Sequence, residues 1–262
     1  MQGNKGHISD TGVVALSLSS LVAMWALAAW MMADPTVLPT PMAVLRIMWD
    51  QTLSGALPYH LAATLGRVLI AFFLAMVIGM ALGITLGLSP RLNRWVNPWI
   101  VVFLNVPALV VIVLCYLWLG LNEVAALIAV SVNKTAMVVV MLREGTQNLS
   151  RPIGEMAQVF KMRRLTILRH VILPQLAPYI SASARNGLAV IWKIVLVVEF
   201  LGRGNGIGFQ IHMYFQLFET GYVMAYSLSF VAVMLLIEYA ILVPLEGRSR
   251  RPFSAKTSVA QT

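Results

Sequence analysis

Among the ionisable residues that lie within long apolar runs of the sequence or beside their ends, five are candidates for a functional role: Lys134, Arg185, Lys193, Glu199 and Glu238. Charge is costly in the core of a bilayer, so such residues usually face a protein interior or a water-filled path and predict function by default. A cation such as Lys134 or Lys193 could balance the carboxylate or sulfonate of a solute. The alternative is structural, because a long side chain can reach the membrane surface and Lys193 could pair internally with Glu199.

Two asparagines in apolar runs leave a similar choice open. Asn105, close to Pro107, and Asn133 could line a polar pore or satisfy backbone groups at helix kinks. The residues predicted for a translocation path are therefore Asn105, Asn133, Lys134, Arg185, Lys193 and Glu199.

Patterns for catalysis, metal binding and phosphate binding are missing from the sequence. The histidines, His7, His60, His170 and His212, are dispersed and form no HExxH motif, and no serine lies in a GxSxG motif. Gly202, Gly204, Gly206 and Gly208 alternate, but they do not match GxGxxG, and no GxxxxGK[ST] loop occurs. We predict no metal, no cofactor and no catalytic site, which disfavours a membrane-embedded enzyme; the alternating glycines indicate a tight turn.

The composition predicts the elements that hold these residues. The chain has 262 residues, 59% hydrophobic and 11% charged, with a mean hydropathy of +0.81, whereas globular domains are about 25% charged. A multi-span membrane protein is predicted, which excludes most soluble enzymes and DNA-binding domains. The net charge of +9 is typical of basic loops on the inner side of a membrane.

Six apolar runs are long enough to cross a bilayer as helices, and the fold class is therefore all-α. The predicted spans are approximately Val13 to Ala33, Leu61 to Leu88, Ile100 to Leu119, Val124 to Leu142, Ala182 to Leu201 and Val223 to Leu245.

The connecting segments on the side of the two termini hold 13 Lys and Arg residues and the opposite ones hold two, which predicts cytoplasmic termini. We therefore predict a cytoplasmic segment at residues 1–12, a transmembrane domain at 13–246 and a cytoplasmic tail at 247–262, whose polar sequence predicts disorder.

Small residues recur at every fourth position of the second predicted span: Ala71, Ala75, Gly79, Gly83 and Gly87. This spacing places them along one stripe of a helix, where another helix can approach closely. The stripe predicts helix packing, either within the chain or with a second copy.

The longest cytoplasmic connection, about residues 151–175, has an amphipathic pattern. Pro152 and Glu155 suit the start of a helix, and a second helix with Arg163 and Arg164 is predicted to end at Leu173-Pro174. It could lie on anionic lipid through its basic residues or bind a cytoplasmic partner.

This connection resembles the EAA loop of permease subunits of bacterial ABC importers. Glu155 and Ala157 match its Glu and second Ala, and Ile172, Leu173 and Pro174 match its ending, whereas Met156 and Lys161 replace an Ala and the usual Gly. The resemblance implies contact with an ATPase through Glu155, Ala157, Lys161, Arg163, Arg164, Ile172, Leu173 and Pro174.

Further motifs, in order along the chain, resemble the permeases for sulfonates, taurine and nitrate. They are Leu65-Gly66-Arg67-Val68, Gly87-Leu88-Ser89, Val106-Pro107, Trp118-x-Gly120 with Glu123, Val197-Val198-Glu199 and Gly206-Ile207-Gly208. The resemblance implies a MetI-like fold, a permease homodimer in the bacterial inner membrane, two cytoplasmic ATP-binding subunits and an external solute-binding protein. The alternative from another class is a passive channel or an ion-coupled carrier, which ATP-dependence of uptake would distinguish.

Overall fold

The computed structural model describes residues 10–149, 160 and 162–238, and all regular structure in these ranges is helical. The helices are α1 (Asp10–Met32), α2 (Pro41–Leu53), α3 (Ala56–Leu88), α4 (Pro90–Asn105), α5 (Ala108–Leu119), α6 (Glu123–Gln147), α7 (Arg164–Ile167), α8 (Leu173–Gly202), α9 (Ile207–Gln216) and α10 (Thr220–Ile237). A π-helical turn, Leu168–Ile172, joins α7 to α8. The predicted coupling residues Glu155, Ala157 and Lys161 and the tail 247–262 lie outside the described residues.

Four of the described helices are long and apolar enough to cross a membrane. They comprise Gly12–Met32 of α1 and the whole of α3, α6 and α10. The pair α4 and α5 would form a fifth crossing if it is counted as one broken span. The structure therefore confirms an all-helical, multi-span protein, with four or five such crossings rather than six among the residues described.

The third predicted span is not one straight helix. The chain bends by 97° between α4 and α5, at Val106 and Pro107. Pro107 has no backbone N–H to continue the helical ladder, and it favours extended backbone at the residue before it. Val106 adopts this conformation, with φ −73° and ψ 123°, and the Asn105 side chain bonds back to the Val101 carbonyl at 2.7 Å.

The fifth predicted span lies within a longer helix. Leu173-Pro174 does not end a helix as predicted; the chain passes from α7 through the π-helical turn directly into α8. Pro174 stands in the first turn of α8, directly after the π-helical turn, where the hydrogen-bonding pattern changes from π-helical to α-helical. The 30 residues of α8 cover about 45 Å. The helix carries Arg185, Lys193 and Glu199 and is not among the four apolar crossings.

The small-residue stripe of α3 lies against α6 of the same chain. A methyl group on Gly79, Gly83 or Gly87 would come within 2.4 to 2.8 Å of Val138, Leu142 or Thr146 side chains, respectively. Ala71 and Ala75 are fully buried. Because the stripe lacks larger side chains, the two backbones approach closely and form a scaffold for α8.

Two short helices that the sequence did not predict, α2 and α9, lie between the long ones. Thr40 caps α2, its Oγ1 accepting a bond from the Ala43 N–H at 3.3 Å, and Val44 is buried. Helix α2 packs against α10, and α9 packs against α8 and α10. Both lie at the end of the bundle where α3 and α6 begin and α8 ends, called here the loop end.

Candidate functional site

Arg67 is the centre of a polar cluster at the loop end of the bundle. Only 5% of the surface of Arg67 is exposed. Nε and Nη2 donate to Glu123 at 2.6 and 3.1 Å, and Nη1 donates to Glu199 at 2.6 Å. The remaining donors bond to the backbone and side-chain oxygens of Asn205. A guanidinium has five N–H groups, and all five of Arg67 are paired here.

The Glu199 carboxylate is the most deeply buried member of this cluster, with 0% exposure. Besides Arg67, it accepts bonds from Thr64 Oγ1 at 2.8 Å and from the Gly208 N–H at 2.9 Å. A buried carboxylate is tolerated only when it is paired and hydrogen-bonded. Glu199 meets both conditions, so it fixes the end of α8 to α3 and to the start of α9.

The alternating glycines pack over this carboxylate. Gly206 has φ +109°, and a methyl group there would lie 2.3 Å from Glu199 Cδ. A methyl group on Gly208 would lie 2.2 Å from the Leu196 carbonyl oxygen, whereas Gly204 has open space around it. Gly206 and Gly208 therefore permit a close approach of backbone to a buried charge, which explains the glycine pattern without a bound phosphate.

His60 holds the glycine segment from the other side. Its Nδ1 accepts the Gly206 N–H at 3.1 Å, so Nδ1 carries no proton and the neutral ring must be protonated at Nε2. Nε2 lies 2.6 Å from the amide of Gln210, whose Oε1 is otherwise buried without a partner. We assign the Gln210 amide the orientation in which Oε1 accepts from His60 Nε2, because both groups are then satisfied.

Arg203 extends the cluster towards its exposed edge. Its Nη2 pairs with Glu123 at 2.6 Å, and Nη1 donates to the Leu121 carbonyl at 3.2 Å. The side chain of Glu123 is 45% exposed. Two arginines and two glutamates leave the cluster neutral, so its chemistry is structural: it joins α3, α6, α8 and α9, and its central guanidinium has no donor left for a ligand.

The Arg67 cluster was not predicted as a site from the sequence. Arg67, Glu123 and Glu199 each stand in one of the quoted family-like motifs, but only Glu199 was assigned to a site. The predicted alternative, an ion pair between Lys193 and Glu199, is wrong, because Glu199 pairs with Arg67. The available signal was the presence of opposite charges at the same end of three predicted spans.

The remaining residues predicted for a path do not converge on this cluster. Lys134 is buried in the middle of α6. Lys193 lies on an exposed face of α8 with Nζ 5.4 Å from the centroid of the Trp192 ring, and Arg185 pairs with Glu238 at 3.9 Å. Arg185, Trp192 and Glu238 line a cavity of about 380 Å³ between α8 and α10.

Two predicted path residues lie on other surfaces. Asn105 is exposed at the kink between α4 and α5, and Asn133 is partly buried on α6.

Within the described ranges, no three His, Cys, Asp or Glu residues are grouped so as to hold a metal ion.

The described part of the predicted coupling connection lies at the end of the bundle opposite the loop end. Arg163 is exposed. Ile172 is buried and belongs to an apolar cluster with Leu142 and Leu176, next to Leu173. Thus the end of the predicted motif is anchored to α6 and α8, so movement of this connection would act on both helices.

Comparisons with known proteins agree with this architecture. Residues 75–243 match the family described as "Binding-protein-dependent transport system inner membrane component". A protein of Escherichia coli strain K12 whose name describes an aliphatic sulfonates transport permease, SsuC, is 34% identical, over 72% of each chain. The corresponding SsuC of Bacillus subtilis strain 168 is 28% identical, over 81% of this chain and 78% of the relative.

A solved structure shares the fold. The inward-facing MetNI methionine ABC transporter aligns with a TM-score of 0.62, at 18% identity, over 72% of this chain and 93% of that chain. At this identity the match concerns the fold alone. Because the family match covers more than half of its length, the chain belongs to the inner membrane components of binding-protein-dependent transport systems.

Proposed function

We propose that this chain is the permease subunit of an ATP-driven importer for a small organic or inorganic anion, such as a sulfonate. The family match over residues 75–243 carries the proposal. The two relatives named for aliphatic sulfonates support the class of solute. Two copies of the chain would form the translocation path, fed by a solute-binding protein.

The ATPase is a separate polypeptide in this proposal. No GxxxxGK[ST] phosphate-binding loop occurs in the 262 residues, so ATP hydrolysis has to be supplied by partner subunits. Their docking site is the connection of residues 151–175, through Glu155, Ala157, Lys161, Arg163 and Arg164. Its end at Ile172, Leu173 and Pro174 leads directly into α8, which gives a mechanical route from the motor to the path.

The proposed orientation follows from the charges. Both termini and the coupling connection are cytoplasmic, because the segments on that side hold 13 Lys and Arg residues against two on the other. The loop end with the glycine segment then faces outwards. The Arg67 cluster would keep α3, α6 and α8 together at this end, so that they move as one body when the path opens and closes.

Solute-stimulated ATP hydrolysis tests the coupling role. Complexes that contain Glu155→Lys or Ala157→Asp chains should insert into membranes but lose this stimulation, because the first change reverses a charge and the second places one at the docking surface. A matched control is Arg46→Met, at an exposed position of α2 remote from this connection in the sequence, which should retain stimulation. Full stimulation in both coupling variants would contradict the proposal.

A further inference from the structure

Lys134 is a buried basic residue in the middle of a membrane-spanning helix. It is 2% exposed, and its Nζ has a single hydrogen-bond partner among the described residues, Met137 Sδ at 3.0 Å. A thioether sulfur is a weak acceptor and carries no charge. Nothing in the described ranges therefore balances an ammonium at this position with a carboxylate.

The described arginines that are buried or partly buried differ from Lys134, because each has a carboxylate within 4.0 Å; for Arg143 it is that of Glu144. Arg67 pairs with two glutamates, Arg203 pairs with Glu123, and Arg185 pairs with Glu238. Leaving a cation buried without a counter-charge is unfavourable, which is why buried charges are normally paired. Lys134 is thus the position in the described bundle where an anion from outside the chain would be stabilised most.

The Lys134 side chain is packed closely between helices, and a flexible side chain covers its amine. A methyl group on Gly187 of α8 would lie 3.1 Å from Lys134 Cε and 3.5 Å from a ring carbon of Phe72, so glycine at this position leaves room for the lysine side chain between the helices. Met137, one turn along α6, is 39% exposed and covers the Nζ atom. Its unbranched side chain is flexible, so a rotamer change can uncover the amine without moving the backbone.

We propose that the Lys134 ammonium binds the transported anion during its passage, with Met137 as a movable cover. The site would take small anions that present sulfonate, nitrate or carboxylate oxygens, to which an ammonium donates up to three hydrogen bonds. The inference rests on the proposed import function and adds the residue that recognises the charge of the solute. Binding there would be selective for charge, because the described partner of the amine, the Met137 thioether, carries no charge.

Uptake into proteoliposomes tests this inference. The permease is reconstituted with its ATPase and its binding protein, and ATP-dependent uptake of ethanesulfonate, nitrate and bicarbonate is measured for the wild type. The variant Lys134→Met keeps the length of the side chain and removes the charge. For the anion that the wild type transports, we expect an uptake rate at least about tenfold lower, which corresponds to ~1.4 kcal/mol.

Ser131→Ala is the matched control. Ser131 is buried one turn from Lys134 on α6, and its hydroxyl has no partner among the described residues. This variant should transport at the wild-type rate. Wild-type uptake by the Lys134→Met complex, or an equal loss in both variants, would overturn the role of Lys134. Absence of ATP-dependent uptake of all three anions by the wild type would instead overturn the proposed function on which it rests.

A second measurement decides the question if the Lys134→Met chain does not assemble. Met137→Cys is made with Cys115→Ser, which removes the single native cysteine. The new thiol lies beside the Lys134 amine and is labelled with N-ethylmaleimide in the assembled transporter. The transported anion should slow labelling at least about threefold, as expected when roughly two thirds of the sites are occupied. Labelling at an unchanged rate under saturating anion would overturn the inference.

Discussion

Replacing Arg67 by methionine should destabilise the protein more than replacing an exposed arginine. The change removes all five bonds of the guanidinium but retains the bulk of an unbranched side chain. Glu123 keeps Arg203 as a partner and its side chain is 45% exposed, so breaking its bonds to Arg67 should cost little stability. Glu199 keeps only the bonds from Thr64 and Gly208, in a place with no exposure to solvent.

The magnitude follows from the charge that is left behind. Removing one partner of a buried ion pair costs about 3–5 kcal/mol, mainly because the other charge remains buried and uncompensated. No reduction for screening by solvent applies, because the two side chains are 6% and 0% exposed. Changing Glu199 to glutamine as well removes that charge, so the double variant Arg67→Met/Glu199→Gln should recover at least about half of the loss.

The assay is reversible unfolding in mixed micelles by titration with dodecyl sulfate, followed by tryptophan fluorescence. Arg46→Met, at an exposed position of α2, is the control and should change the free energy of unfolding by no more than about 0.5 kcal/mol. The reasoning is refuted if Arg67→Met costs no more than the control. It is also refuted if the double variant is no more stable than Arg67→Met alone.

Three further predictions concern local contacts. Gly206→Ala should cost about 1–3 kcal/mol of unfolding free energy, because of its positive φ and its contact with a buried carboxylate, whereas Gly204→Ala, with open space around it, should be nearly neutral. Gly83→Ala should lower the free energy of unfolding by about 1–3 kcal/mol, because the added methyl would press on α6. Gly66→Ala, where the added methyl meets nothing within 4 Å, should instead stabilise α3 by about 0.5–1 kcal/mol. Thermal unfolding of all four glycine variants checks the direction of each effect. Nitrogen NMR of His60 should show a proton on Nε2 and none on Nδ1, and the opposite tautomer would contradict the assigned Gln210 orientation.

Much of the architecture could be predicted because the bilayer constrains it strongly. Long apolar runs must become helices, and the predicted spans at Val13 to Ala33, Leu61 to Leu88 and Val124 to Leu142 overlap α1, α3 and α6. The kink at Pro107 was harder to predict, because the same apolar run is compatible with a straight helix and with a broken one. Hydropathy averages over such a break, whereas the missing N–H acts at one residue.

The Arg67 cluster could not be predicted, because its contacts join residues that are far apart in the sequence. Arg67 lies 56 residues from Glu123 and 132 residues from Glu199. Each of the three residues appears as an isolated charge at the end of an apolar run, and only the packing of α3 on α6 and α8 brings them together. Lys134 could be identified from its position in a span, but the absence of a carboxylate partner within the described bundle is visible only in the structure.

In the proposed function, the connection between α6 and α8 transmits the motion of a separate ATPase to this permease. The most direct measurement is site-specific cross-linking in the reconstituted transporter, with a single cysteine from Ala157→Cys in a Cys115→Ser chain. A short thiol-reactive cross-linker should join this cysteine to the ATP-binding subunit, with a yield that changes when ATP is bound. Labelling of the same cysteine by a lipid-dissolved reagent, without any cross-link to the ATPase, would show that this connection lies in the lipid and does not dock the ATPase.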